Sequence, residues 1–174
     1  LATNDPEAML WDTLPTRAFA QEYEAAFTDD AGAVFRFVRE AATALPQREA
    51  IDGHRYTFGV DWGKLNDSTA VAVFDVNERA IVALDRFTQI DYALQVQRLT
   101  GLYQRFRPGR IIAESNSMGE PLIEQLRRAG LPVYPFTTTA HSKGLVIDHL
   151  ALLIERGELR IISDPVLISE LEAY

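Results

Sequence analysis

The sequence predicts an α/β domain: a mixed sheet of three antiparallel strands followed by alternating helix and strand, with helices on both faces. Three observations point to it. Short runs rich in β-branched and aromatic residues follow one another between Tyr56 and Phe87, separated only by turn residues. From Tyr92 onward the apolar spacing changes to the helical period and is broken by single short strands. The first and the fourth of the predicted strands each end on an acid.

Residues 1–50 read as a segment outside this sheet. Asn4-Asp5-Pro6 and Leu14-Pro15-Thr16 are turn signals. Thr16 is placed to cap a helix whose Phe19, Tyr23 and Phe27 share one face. Val34, Val38, Ala41 and Leu45 mark a second helical face, ended by Pro46. The domain proper is expected over 51–174. Tyr56–Asp61, Thr69–Asp75 and Ala80–Phe87 are the first three strands, and their short connections make them an antiparallel meander. Tyr92, Val96, Leu99, Tyr103 and Phe106 line one face of the helix that follows, which Pro108-Gly109 stops. Arg110–Glu114 is the fourth strand, Gly119–Ala129 a helix and Pro132–Phe136 the fifth strand. Ser142 is expected to cap a long helix running through Arg156, and Leu159–Ile162 to add a short strand. In the last helix Asp164 serves as cap, with Pro165 at the first position, where its missing N–H is harmless. This order of elements is the arrangement of ribonuclease H-like domains.

Composition narrows the chemistry. The 174 residues contain no cysteine and three scattered histidines, so a thiolate site is excluded and any metal would be held by oxygen, which suits Mg²⁺ or Mn²⁺. A net charge of −8 argues against coating nucleic acid by bulk electrostatics, although a local basic rim around an acidic centre stays compatible with it. No apolar run reaches membrane-spanning length and no signal peptide is visible.

Asp61 and Glu114 are the central candidates. If the first and fourth strands lie side by side, both carboxylates meet at one sheet edge, where two close anions repel unless a cation joins them. Taken singly, each acid is more simply a solvated strand end. Taken together with the strand order, the pair reads as a divalent-metal site. Two ions about 3.5–4 Å apart would suit phosphodiester hydrolysis. Asp148 is expected on the solvent face of its helix, and Asp164 is explained by its cap, so both are rejected as ligands.

GVDWGKLNDSTAVAVFD, then IIAESNSMGEPLIEQL, then TTTAHSKGLVIDHLALLIERGELRI, resemble in consistent order the nuclease region of phage large terminase subunits. AFAQEYEAAFTDDAGAVF resembles the segment joining that family's packaging ATPase to its nuclease. The resemblance implies a divalent-metal-dependent endonuclease that cuts concatemeric viral DNA in the host cytoplasm during genome packaging. Its implied partners are double-stranded DNA, an N-terminal ATPase domain, the portal protein and the small terminase subunit, with no membrane. It also implies that Asp61 and Glu114 are the first two metal ligands. A third acid is expected beyond Tyr174, the chain being read as an excised piece of a longer protein.

Weaker candidates follow. Asp67 matches a loop acid of that family, and a turn over Asn66-Asp67-Ser68 explains it equally well. Lys64, Asn116 and Lys143 are candidate DNA or phosphate contacts, against the simpler reading of solvated side chains. Trp62 is expected in the core, and the three histidines have no visible partner. Competing functions are a Holliday-junction-resolvase or integrase-like nuclease, a sugar-kinase or actin-like ATPase, and a non-catalytic docking module.

Overall fold

The structure, a computed structural model, describes residues 33–63, 68–88, 91–116 and 119–174. Its strands are β1 Tyr56–Asp61, β2 Thr69–Asp75, β3 Ala80–Phe87, β4 Arg110–Glu114, β5 Val133–Phe136 and β6 Arg160–Ile161. Its helices are α1 Val38–Ala41, α2 Tyr92–Phe106, α3 Gly119–Arg128, α4 Ala140–Glu155 and α5 Pro165–Ala173. The described residues form two compact units: residues 44–139, and residues 140–174 together with residues 33–43.

In the unit of residues 44–139 the strands run in the order β5-β4-β1-β2-β3. β1 pairs antiparallel with β2, and β2 with β3, as the short turns dictate. β4 lies parallel to β1 and to β5, because α2 and α3 supply the crossovers that parallel strands need. Alternation along the strands sorts the two faces. Tyr56, Phe58, Val60, Val71, Val73, Ile111, Ala113 and Val133 are buried on one face. α3 packs on β4 and β5 and against α2. Leu99, Leu102, Phe106, Leu122, Ile123 and Leu126 are buried apolar helix residues of this core. Phe106 meets the rings of Tyr56 and Phe58 edge-on, at centroid distances of 5.4 and 6.2 Å. The opposite face is more open: Gly59, Asp61, Arg110 and Ile112 are exposed there, as is Tyr134, which pairs with Ile112. Pro135 sits in β5 at the end of the strand order, where a missing N–H costs the ladder least.

In the other unit α1 packs on α5, with Arg39 hydrogen-bonded to Glu172 at 2.7 Å and Phe35 edge-on to Tyr174. Asp164 caps α5 by accepting from the Leu167 N–H at 2.9 Å, and Pro165 opens the helix, both as expected.

Four expectations are corrected. The helix marked by Val34, Val38, Ala41 and Leu45 is a single turn, because Phe37 takes a left-handed conformation and Ala42 already leaves the helical region; Leu45 is exposed. The buried stripe of α2 is Gln95, Leu99, Leu102 and Phe106, so Tyr92 faces outward and the stripe is turned by about one position. α4 starts at Ala140, which puts Ser142 inside the helix instead of at its cap. The apolar face expected to centre on Val146, Leu150 and Leu153 is shifted, the buried residues being Ala151, Leu152 and Ile154; Asp148 is nonetheless exposed, because the first half of the helix leaves even Leu145 and Val146 largely uncovered. The expected helix over Phe19–Phe27 lies outside the described residues.

Candidate metal centre

Asp61 and Glu114 stand at the C-terminal ends of two adjacent parallel strands. The register pairs Val60 with Ala113, so the next residue on each strand is one of the acids, with backbones about 4.8 Å apart. Both acids belong to the open face, since β1 exposes Gly59 and Asp61 while β4 exposes Arg110 and Ile112 and half-exposes Glu114. The strand side chains flanking them, Val60 and Ala113, point into the core and lock the strands against slippage by one residue.

The surroundings hold the pair in place. The Asn116 side-chain amide donates to Glu114 Oε1 at 3.2 Å and to the Thr138 carbonyl at 2.8 Å, tying the end of β4 to the chain leaving β5. Ser115 continues that tie: its N–H donates to the Phe136 carbonyl at 2.9 Å and its hydroxyl lies 3.1 Å from Thr137 Oγ1. On the other side, the Gly63 N–H donates to Thr69 Oγ1 at 3.0 Å, and that hydroxyl donates to Gln95 Oε1 at 3.2 Å. Thr69 and Gln95 are both buried, so the segment after Asp61 is pinned to the start of β2 and to α2 by polar groups shut away from water. Trp62 is buried, as expected, and its indole N–H has no hydrogen-bond partner among the described residues.

These donors fit a divalent, oxygen-ligated ion in kind: two carboxylates on neighbouring strand ends, one of them oriented by an amide. Among the described residues no group of three or more His, Cys, Asp or Glu stands together. Asp67 and Lys64 lie outside the described residues. Asn116 is engaged with Glu114, and Lys143 is an exposed residue of α4 with its ammonium 5.4 Å from the Tyr174 ring centre.

Sequence reasoning missed Thr69, Gln95 and Gly119 as site supports. A Thr opening an apolar strand and a Gln inside a helical apolar stripe were the available signals. It also left His54 without a partner, whereas His54 Nδ1 lies 2.7 Å from Asp75 Oδ2; β1 and β2 are antiparallel, so the far end of β2 returns beside the start of β1.

Residues 58–174 match the family model described as the terminase RNaseH-like domain. The chain is 28% identical over 170 residues to the large terminase subunits of Thermus virus P23-45 and Thermus phage G20c, covering 92% of this chain and 35% of each relative. It therefore spans about a third of the length of those relatives. The large terminase nuclease of thermophilic phage G20c superimposes with a TM-score of 0.72 at 27% identity, over 80% of each chain. That nuclease has also been solved with bound magnesium, cobalt and zinc. The HK97 bacteriophage large terminase shares the fold, with a TM-score of 0.61 at 17% identity over 81% of this chain and 36% of that one.

Proposed function

The chain belongs to the terminase family with a ribonuclease H-like domain, and from that premise we propose that it is the metal-dependent endonuclease part of a phage packaging machine. The single observation supporting this most strongly is the juxtaposition of Asp61 and Glu114 at the ends of paired parallel strands on the open face of the sheet. Asp61 and Glu114 would hold the metal, Mg²⁺ or Mn²⁺, with Asp67, outside the described residues, as a candidate further ligand. A bound divalent ion lowers the pKa of an attacking water and neutralises charge on the scissile phosphate. The protein's own part is orientation. Asn116 fixes the Glu114 carboxylate, and the Gly63–Thr69–Gln95 chain fixes the segment behind Asp61. Asn116 acts near the substrate mainly through Glu114.

The proposed substrate is concatemeric double-stranded DNA in the host cytoplasm. The proposed partners are the ATPase domain, the portal protein and the small terminase subunit. The magnesium, cobalt and zinc forms of the G20c nuclease, a 26–27% identical relative, support a divalent ion. The family match removes the basis for a sugar-kinase or actin-like ATPase reading.

Nicking of supercoiled plasmid in Mn²⁺ tests the proposal, with the chain at the length of its relatives. Asp61→Asn and Glu114→Gln are each expected to lower the cleavage rate by about 10²–10³-fold, the cost of roughly 3–4 kcal/mol of lost transition-state charge stabilisation. Unchanged cutting by either variant would refute the site.

A further inference from the structure

Gly119, the first residue of α3, packs where no other residue fits. A Cβ built there would overlap the carbonyl oxygen of Glu114, fall 2.9 Å from that carbonyl carbon and 3.1 Å from Cδ1 of Trp62. Both neighbours belong to the candidate site. Glu114 is one of the two acids, and Trp62 directly follows the other. The turn is closed by the Gly119 N–H donating to the Asn116 carbonyl at 3.1 Å, the same Asn116 whose amide holds Glu114. Leu122, Ile123 and Leu126 anchor α3 in the core, so its first residue cannot back away without uncovering them.

Trp62 gives an independent observation. Its Nε1 is bonded to the Cδ1 that faces Gly119, and this N–H is buried without a partner among the described residues. A buried donor left unsatisfied is costly, so the ring is held by packing instead of by a hydrogen bond. Its Cδ1 lies only 3.1 Å from where a Cβ on Gly119 would stand, so a side chain at residue 119 would press on the ring.

We propose that Gly119 is a positioning residue: lacking a side chain, it lets the start of α3 close against the Glu114 carbonyl and the Trp62 ring, and so keeps the Asp61 and Glu114 carboxylates where the paired strand ends put them. The inference rests on the reading of these acids as a metal site. A methyl group at residue 119 must push the Glu114 peptide or the Trp62 ring aside, because neither is the flexible tip of a long side chain. Displacing a ligand by about 1 Å is enough to cost on the order of 10²-fold in rate.

The test uses full-length protein and two readouts, Mn²⁺ affinity by electron paramagnetic resonance and the kinetics of plasmid nicking. Mn²⁺ bound at the site is counted as the binding lost in Asp61→Asn. Gly119→Ala is expected to weaken that Mn²⁺ binding at least tenfold and to lower kcat about 100-fold, with KM for DNA unchanged within twofold. Trp62→Phe, which withdraws the indole edge but keeps an apolar ring, is expected to weaken Mn²⁺ binding severalfold, and it decides the matter should Gly119→Ala fail to fold. Wild-type Mn²⁺ affinity and kcat in a folded Gly119→Ala, or wild-type Mn²⁺ affinity in Trp62→Phe, overturns the inference. If Asp61→Asn itself binds Mn²⁺ and cuts as the wild type does, the metal-site reading has failed instead.

Discussion

Inside the core, Asp75 is completely buried and yet its carboxyl is held below the usual carboxylate range. Burial pushes its pKa up. The hydrogen bonds from His54 and Gln47 and from the backbone N–H groups of Glu78 and Asn77 together outweigh that push. Tyr56 joins the cluster by donating to Gln47 Oε1 at 2.7 Å, and burial raises its hydroxyl pKa, helped by the nearby Asp75 charge. The folded-state pKa of Asp75 lies below its unfolded value of 3.8, so its contribution to stability is complete above that value and is lost as pH falls through the folded one. Asp75→Asn is expected to cost about 2–3 kcal/mol at pH 7, because donors arranged around a charge lose it. Denaturation followed from pH 7 to pH 2 should show the gap between variant and wild type closing only below pH 3.8.

Among the elements, α2 shows how local backbone limits are met. Asp91 caps its start by accepting from the Leu94 N–H at 2.8 Å. At its other end Arg107 stands in the left-handed region at φ 45°, and its N–H bonds the Tyr103 carbonyl at 2.7 Å. That geometry suits glycine, and Arg107 is exposed. Arg107→Gly is expected to raise stability by about 1 kcal/mol, the strain of a side chain in that conformation, measurable as a higher urea midpoint with unchanged slope. A loss of stability would instead mean that the side chain contributes more than its backbone costs. The same element scale explains the site: α2 is the crossover from β3 that returns the chain so that β4 runs parallel to β1, which is why both acids arrive at the same end of the sheet.

For the molecule as a whole, the relevant balance is between repulsion and binding. Asp61 and Glu114 end neighbouring strands on the open face of a chain whose net charge is already −8, so any added carboxylate charge there meets a like-signed background. A bound divalent ion reverses that. Adding Mn²⁺ to about 100 times its dissociation constant is expected to stabilise the fold by about 2.7 kcal/mol. Differential scanning calorimetry with and without a chelator measures this, and Asp61→Asn should lose most of the effect. Equal melting temperatures with and without Mn²⁺ in the wild type would contradict a metal centre. No helix among the described residues is long and apolar enough to cross a membrane.

The linear pattern determined the elements of the sheet almost residue for residue. Alternation of apolar residues in Tyr56–Asp61, Thr69–Asp75 and Ala80–Phe87 is enforced by the pleat itself, and short turns leave only antiparallel pairing. It also put an acid at the ends of β1 and β4, because strand ends are read from where the apolar run stops. Helix faces were less legible. In α2 a Gln replaces the expected Tyr in the buried stripe, since a polar side chain is admitted wherever a buried partner such as Thr69 satisfies it, and that partner is remote in sequence. The nearness of Asp61 to Glu114, the support of Asn116 and the close fit of Gly119 against Glu114 and Trp62 were decided only by the tertiary structure. Each depends on which strands become neighbours, and that choice is made by packing of whole elements, not by any residue's local preference.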